Sequence, residues 1–133
     1  MVADMMARLR ALAASGRVHV AFAFLVMGGW AVFANRVHPM PRPLLSGVVQ
    51  GTVSALLTLC LKSVIDALSR RFSGCLRFWA PPLLACLVTT GILLAMHALA
   101  GTPEILPTIA VPLFVSTSYA AVYNCSVSRQ GAR

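Results

Sequence analysis

Acidic residues are almost missing from this sequence, and charged residues of any kind are scarce. The 133 residues include three Asp and Glu, and charged residues make up 11% of the chain, against about 25% in an average soluble domain. Hydrophobic residues make up 59%, and the mean hydropathy is +0.83. A soluble domain needs polar outer faces that this composition does not supply. The composition therefore excludes an ordinary soluble protein and predicts a membrane protein.

The sequence also lacks the patterns that catalysis and metal binding require. No nucleophile, base and orienting acid can be assembled from neighbouring positions, and His38, His97 and Glu104 lack a compact ligand spacing. We therefore expect no enzyme activity, no cofactor and no metal site. No Cys-x-x-Cys pair occurs, and we expect reduced cysteines that pack as small apolar residues: Cys60, Cys75, Cys86 and Cys125.

Four long stretches without Asp, Glu, Lys or Arg are the main feature of the chain. Each approaches or exceeds the roughly 20 residues that an α-helix needs to cross a ~30 Å hydrocarbon layer. We predict an all-α fold, a single transmembrane domain over residues 1–133 in which four spanning helices form a compact bundle. The predicted spans are residues 18–35, 43–67, 79–100 and 103–127.

The distribution of arginine and lysine predicts the orientation of this bundle. Four spans bring nine of the eleven cations to the side that holds both chain ends, and leave Arg36 and Arg42 on the other. Cytoplasmic loops of membrane proteins carry an excess of Lys and Arg. Both termini are therefore predicted to lie in the cytoplasm. The protein is predicted to be integral to a cell membrane, which would be the inner membrane if the source is a bacterium. Because the cations flank apolar runs, we expect no nucleic-acid partner.

Apolar residues recur at helical spacing before the first span. Val2, Met5 and Leu9 fall on one side of such a helix, while Arg8 and Arg10 occupy other positions. This pattern predicts a short interfacial helix over residues 1–16 that lies on the inner leaflet, with its arginines at anionic headgroups. The alternative is a frayed terminus.

Prolines and glycines predict where the third span begins and ends. Pro81 and Pro82 are expected to open it, where a missing backbone N–H does no harm, and Gly101 is expected to close it. Thr102 and Pro103 then fit the N-cap and the first residue of the fourth span.

Two further prolines, Pro107 and Pro112, fall inside the predicted fourth span. Each should remove one backbone hydrogen bond and bend the helix. Such a bend either lines a cavity or is satisfied by neighbouring hydroxyls such as that of Thr108.

Polar residues recur at every fourth position along the predicted second span. Since polar groups in hydrocarbon need partners, this polar stripe is expected to face protein or water. It either joins helices or lines a translocation route or polar cleft. At one end, Lys62 and Asp66 lie one helical turn apart and are expected to pair, with a proton relay as the alternative. The polar stripe consists of Ser46, Gln50, Ser54, Thr58, Lys62 and Asp66.

A matching surface is predicted on the fourth span, where Thr108, Ser116, Tyr119 and Tyr123 fall at nearby angles. Facing the polar stripe, these residues would enclose a polar groove. The same pattern also describes a packed interface inside a dimer.

Small residues form a second line beside the polar stripe. Gly47, Gly51 and Ala55 share the four-residue spacing, and this small-residue ridge lets another helix approach closely. We expect the chain to associate through it, as a homodimer or within a larger membrane complex.

Basic and acidic side chains gather at the membrane face opposite the termini. Arg36, His38 and Arg42 lie in a proline-rich loop, His97 ends the third span and Glu104 begins the fourth. Arginine offers a planar fork for phosphate or carboxylate, and histidine adds a donor that depends on protonation. This distal cluster is predicted to bind an anionic headgroup or solute; the alternative is a set of solvated loop residues.

From the distal cluster and the polar stripe, we expect a small integral membrane protein that transports or handles an anionic amphiphile or solute, with membrane lipids as partners. The alternative is a non-catalytic accessory or assembly subunit of a larger membrane complex, to which the small-residue ridge would be suited.

Overall fold

The computed structural model describes Met1, residues 5–7 and residues 15–130. Within these residues the chain forms four helices that are long and apolar enough to cross a membrane. The prediction of an all-helical chain with four candidate spans is confirmed. The interfacial helix predicted over residues 1–16 lies largely outside the described residues. The helices are α1 (Gly16–Ala34), α2 (Arg42–Ser69), α3 (Leu76–Leu99) and α4 (Ile105–Gln130).

Helices α2 and α4 form the centre of the bundle, since each packs against the other three helices, whereas α1 and α3 do not touch each other. The start of α1, the loop over residues 70–75 and the end of α4 lie at one end of the bundle, here called the termini end. The loops over residues 35–41 and 100–104 lie at the other, the distal end.

Helices α1 and α2 pack most extensively, and glycine makes this approach possible. A Cβ atom added to Gly28 would lie 2.8 Å from the backbone oxygen of Gly47, and one added to Gly51 would lie 2.8 Å from the backbone oxygen of Phe24. These separations leave no room for a methyl group. Gly47 and Gly51 of the small-residue ridge therefore pack against α1 of the same chain. Association of the chain with a second one stays a prediction.

The start of α3 differs from the prediction in a way that matters for packing. The helix begins at Leu76, so Pro81 and Pro82 lie inside it and do not open it. Two backbone carbonyls, those of Arg77 and Phe78, thereby lose their usual N–H partners four residues ahead. The side-chain Nδ2 of Asn124 on α4 donates to both, at 2.9 and 2.8 Å.

The turn between α3 and α4 corrects two further predictions. Gly101, at φ +65°, closes α3 as expected, and the backbone N–H of Thr102 reaches back to the oxygen of His97 at 3.0 Å. This closure turns the Thr102 hydroxyl toward His97, so Thr102 does not cap α4. Because α4 begins at Ile105, Pro107 lies in its first turn, where an N–H would have no helical partner; Pro112 is inside the helix, as predicted.

Candidate functional site

A buried chain of hydrogen bonds fills the distal half of the bundle between α2 and α3. His97 is fully buried, and its Nε2 lies 2.8 Å from Oε1 of Gln50, while its Nδ1 lies 2.8 Å from Oγ1 of Thr102. The amide Nε2 of Gln50 donates to Oγ of Ser54 at 2.8 Å. Ser46 Oγ lies 3.4 Å from the Thr102 hydroxyl. Ser46, Gln50 and Ser54, the residues of the polar stripe nearest the distal end, thus form their hydrogen bonds inside the protein.

The chemistry of these partners determines the protonation pattern of His97. The amide oxygen of Gln50 can only accept, so Nε2 of His97 must carry a hydrogen and donate it. Nδ1 of the neutral ring then accepts from the Thr102 hydroxyl. Both ring nitrogens are occupied, so His97 is a structural member of the core with no nitrogen left for an anion at the surface.

A second polar group joins α1 to the start of α4. Asn35 is fully buried; its Nδ2 donates to Oγ1 of Thr108 at 2.8 Å, and its Oδ1 accepts from the backbone N–H of Glu104 at 3.0 Å. The sequence alone gave Asn35 no role, because its hydrogen-bond partners on α4 lie about seventy residues away in the chain. The one available signal was an amide at the end of an otherwise apolar run.

The distal cluster is only partly brought together. His38 Nε2 lies 3.0 Å from Oε1 of Glu104 at the surface. Arg36 is exposed and turns back on its own helix, with Nη1 donating to the oxygen of Phe33 at 2.8 Å and its guanidinium 3.9 Å from the centre of the Phe33 ring. Arg42 is exposed at the first residue of α2. These contacts, with His97 buried, do not bring the four predicted residues around one ligand position.

Three residues of the polar stripe nearer the termini end, Ser54, Thr58 and Lys62, line a cleft between α1, α2 and α4. The cleft has a volume of about 480 Å³. It begins beside Gly16 and extends to Met27, which is roughly 16 Å along α1 at the rise of an α-helix and about half of a ~30 Å hydrocarbon layer. Its polar lining is provided by Ser54, Thr58, Lys62, Ser63, His19, Ser116 and Tyr119.

The remaining walls of this cleft are apolar. Met27 and Val20 come from α1, Leu57 and Leu61 from α2, and Val115 from α4. The two basic side chains, His19 and Lys62, lie toward the termini end, whereas Met27, Ser54 and Leu57 lie nearer the bundle centre. The polar groove predicted between the second and fourth spans has a partial counterpart in this cleft, to which α1 also contributes. Ser116 and Tyr119 line it, whereas Thr108 and Tyr123 do not.

Lys62 lies in this lining without a carboxylate partner. Among residues 15–130, the one contact within 4.0 Å between a basic side chain and a carboxylate is that of His38 with Glu104. Asp66, the expected partner of Lys62, instead accepts a hydrogen bond from the Tyr123 hydroxyl at 2.9 Å. A hydrogen bond to a charged group contributes about 1.5–3 kcal/mol, whereas an ion pair within a helix contributes about 0.3–0.5 kcal/mol. Asp66 is therefore stabilised more by the Tyr123 hydroxyl than it would be by Lys62.

The tyrosine that binds Asp66 packs against a second aromatic ring, which belongs to the cleft lining. The ring of Tyr123 stacks on that of Tyr119, with centroids 5.8 Å apart and an angle of 3° between the planes. The ammonium of Lys62 lies 6.0 Å from the centre of the Tyr123 ring, at the outer limit of a cation–π contact. Tyr119 lines the cleft, whereas Tyr123 is not among its lining residues.

No group of three or more His, Cys, Asp or Glu residues that could hold a metal ion occurs in the part of the chain that the structure describes. Comparisons of the chain with models of protein families, with curated proteins and with solved structures gave no match. Function must therefore be argued from the cleft and the residues that line it.

Proposed function

We propose that this protein binds an anionic amphiphile, a molecule with a carboxylate or phosphate headgroup and an apolar chain, in the cleft between α1, α2 and α4. The headgroup lies at Lys62 and His19, and the chain runs along Met27, Leu57 and Val115. The observation that carries the proposal is Lys62, a cation without a carboxylate partner in the lining of a largely apolar cleft.

The dimensions and chemistry of the cleft support this ligand class. A length of roughly half the hydrocarbon layer matches the chain region of a single leaflet. The Tyr119 hydroxyl in the lining can donate to the headgroup, whereas the hydroxyls of Thr58 and Ser116 already donate to the backbone oxygens of Ser54 and Leu113. Hydrogen bonds in which one group is ionised are among the strongest in proteins. A neutral ligand would lack the charge-assisted hydrogen bond that a carboxylate or phosphate can make with the exposed ammonium of Lys62.

The orientation inferred from the charge distribution agrees with such a role. With both termini in the cytoplasm, the mouth of the cleft at the termini end lies in the cytoplasmic leaflet. This end also holds Arg17, Arg70 and Arg71, and basic residues at this surface attract anionic lipids. The proposed role is binding or handling of the amphiphile, because the buried contacts of Gln50 with His97 and Ser54 close the bundle beyond the cleft.

A binding experiment in lipid nanodiscs tests the proposal. The purified protein is titrated with a fluorescent long-chain fatty acid, with phosphatidic acid as competitor, and with the fluorescent alcohol of the same chain length. We expect the acid to bind more tightly than the alcohol, and Lys62→Met to weaken acid binding about tenfold, the equivalent of about 1.4 kcal/mol. Competition by phosphatidic acid would identify a phosphate headgroup as a second acceptable ligand.

Arg71→Gln is the matched control, since Arg71 is an exposed cation at the same end that does not line the cleft. It should leave binding of the acid unchanged. Equal affinity of the wild type for acid and alcohol, or equal loss in both variants, would refute the cleft as an anion site. Loss of binding in Arg36→Gln with His38→Gln instead would place the ligand at the distal cluster.

The accessory-subunit hypothesis loses part of its support in the structure, because Gly47 and Gly51 of the small-residue ridge pack against α1. It predicts that the chain is lost on purification without a partner. A chain that purifies alone and binds the acid through Lys62 would favour the amphiphile-binding proposal.

A further inference from the structure

We propose that Tyr123 determines the charge selectivity of the cleft by holding Asp66 away from Lys62. The inference rests on the proposed function of the cleft, and it assigns a role to a residue that is not part of the cleft lining. Tyr123 is a positioning residue: it touches Asp66 and Tyr119, and it acts on the ligand only through the charge that Lys62 presents.

The spacing of Lys62 and Asp66 along α2 allows an ion pair between them, which would compete with the hydrogen bond from Tyr123 to Asp66. The two residues are four positions apart on α2, so their side chains rise from the same face of the helix one turn apart. A lysine paired with this aspartate would present almost no net charge to a ligand. The cleft would then suit a neutral or zwitterionic molecule better than an anionic one.

Two contacts in the structure oppose that pairing. The Tyr123 hydroxyl donates to Oδ1 of Asp66 at 2.9 Å, which draws the carboxylate toward α4. The Tyr123 ring lies 6.0 Å from the Lys62 ammonium and is supported by the parallel ring of Tyr119. The hydroxyl is therefore the one atom of Tyr123 whose removal would release Asp66 while leaving the aromatic stack in place.

The reactivity of the Lys62 amine reports whether it is paired with Asp66. It can be measured without any ligand, because Lys62 is the sole lysine of the chain. An amine-reactive ester labels Lys62 and the N-terminal amine, and the second serves as an internal reference in mass spectrometry of the full-length protein in nanodiscs. An ammonium held by a carboxylate is less available as the neutral amine that the ester attacks. We expect Tyr123→Phe to slow labelling of Lys62 at least threefold relative to the N-terminus.

Tyr123→Phe combined with Asp66→Asn should restore the wild-type labelling rate, because no carboxylate is left to pair with Lys62. Thr52→Val is the matched control: it removes a hydroxyl of α2 that donates to the Val48 oxygen outside the cleft, so labelling should not change. An unchanged rate in Tyr123→Phe overturns the proposal. A slower rate that Asp66→Asn does not restore also overturns it, since the cause would then lie elsewhere.

Binding of the fluorescent fatty acid provides the second readout. Tyr123→Phe should lower its affinity about fivefold without weakening binding of the matching alcohol, and Asp66→Asn in the same chain should restore it. The two proposals fail in different ways. A wild type that does not prefer the acid refutes the proposed function, and the labelling rates still decide whether Tyr123 controls Lys62. A wild type that prefers the acid, with Tyr123→Phe unchanged in both assays, refutes this inference alone.

Discussion

The side chain of Asn124 takes the place of the backbone N–H that Pro81 cannot provide. Its Nδ2 donates to the oxygen of Arg77, which a residue other than proline at position 81 would bond, and also to the oxygen of Phe78, which Pro82 leaves free in the same way. Asn124 is fully buried. One amide from α4 thus satisfies two successive breaks in α3, and it fixes the separation of the two helices near the termini end.

Replacing Asn124 should therefore destabilise the protein, and the loss should depend on the prolines. Asn124→Leu takes the amide donor away from both carbonyls, of which that of Arg77 keeps a longer contact with Oγ of Ser128 at 3.4 Å. We expect a loss of about 1–2 kcal/mol in the free energy of unfolding, at the upper end of values for interhelical hydrogen bonds in membranes. Thermal unfolding in detergent measures it. In a chain that also carries Pro81→Ala and Pro82→Ala, Asn124→Leu should cost much less, and an equal cost in both backgrounds would contradict this role.

The contact between α1 and α2 supplies a prediction with an adjacent control. Gly28→Ala places a methyl group 2.8 Å from the backbone oxygen of Gly47, whereas nothing lies within 4 Å of a Cβ added to Gly29. Because a backbone oxygen cannot move aside cheaply, Gly28→Ala should lower stability by about 1–3 kcal/mol. Gly29→Ala should be neutral or slightly stabilising, since alanine favours the helix. Similar unfolding temperatures for the two variants would show that the helices are not in close contact here.

The pair of Gln50 and His97 should behave as a unit. Either Gln50→Leu or His97→Leu leaves a buried polar partner unsatisfied, at a cost of about 1–3 kcal/mol. The double variant removes both groups, so its loss should be smaller than the sum of the two single losses, because an apolar pair needs no hydrogen bond. Unfolding free energies of the four proteins form the test. Additive losses would mean that the 2.8 Å contact contributes little.

Several features of the candidate site could be predicted from residue spacing, and others could not. Spacing along α2 correctly indicated that Ser54, Thr58 and Lys62 share a side, and the matching residues Ser116 and Tyr119 do lie across from them in the cleft. A four-residue step advances slightly more than one helical turn, so the polar stripe winds around α2. Its Gln50 end consequently meets α3, while its Lys62 end meets the cleft. The residue of α2 at which the polar stripe passes from α3 to the cleft depends on how the helices pack, which spacing along α2 does not show.

Topology alone predicted only part of the distal cluster. Membrane topology correctly brings His38 and Glu104 to the same end, where they pair. It does not determine whether a side chain points inward, and His97, in the last turn of α3, points to Gln50 in the core. The expected pairing of Lys62 with Asp66 was wrong for a similar reason, because the competing donor, Tyr123, comes from a different helix.

The sequence by itself determined that this chain is helical and has four segments able to cross a membrane, since hydropathy and length are properties of each segment alone. Only the tertiary structure decided which glycines touch, which amide satisfies the carbonyls released by two prolines, and which cation is left to face a cleft. These outcomes depend on the distance and direction between side chains on different helices, and the spacing of residues within one helix carries no information about them.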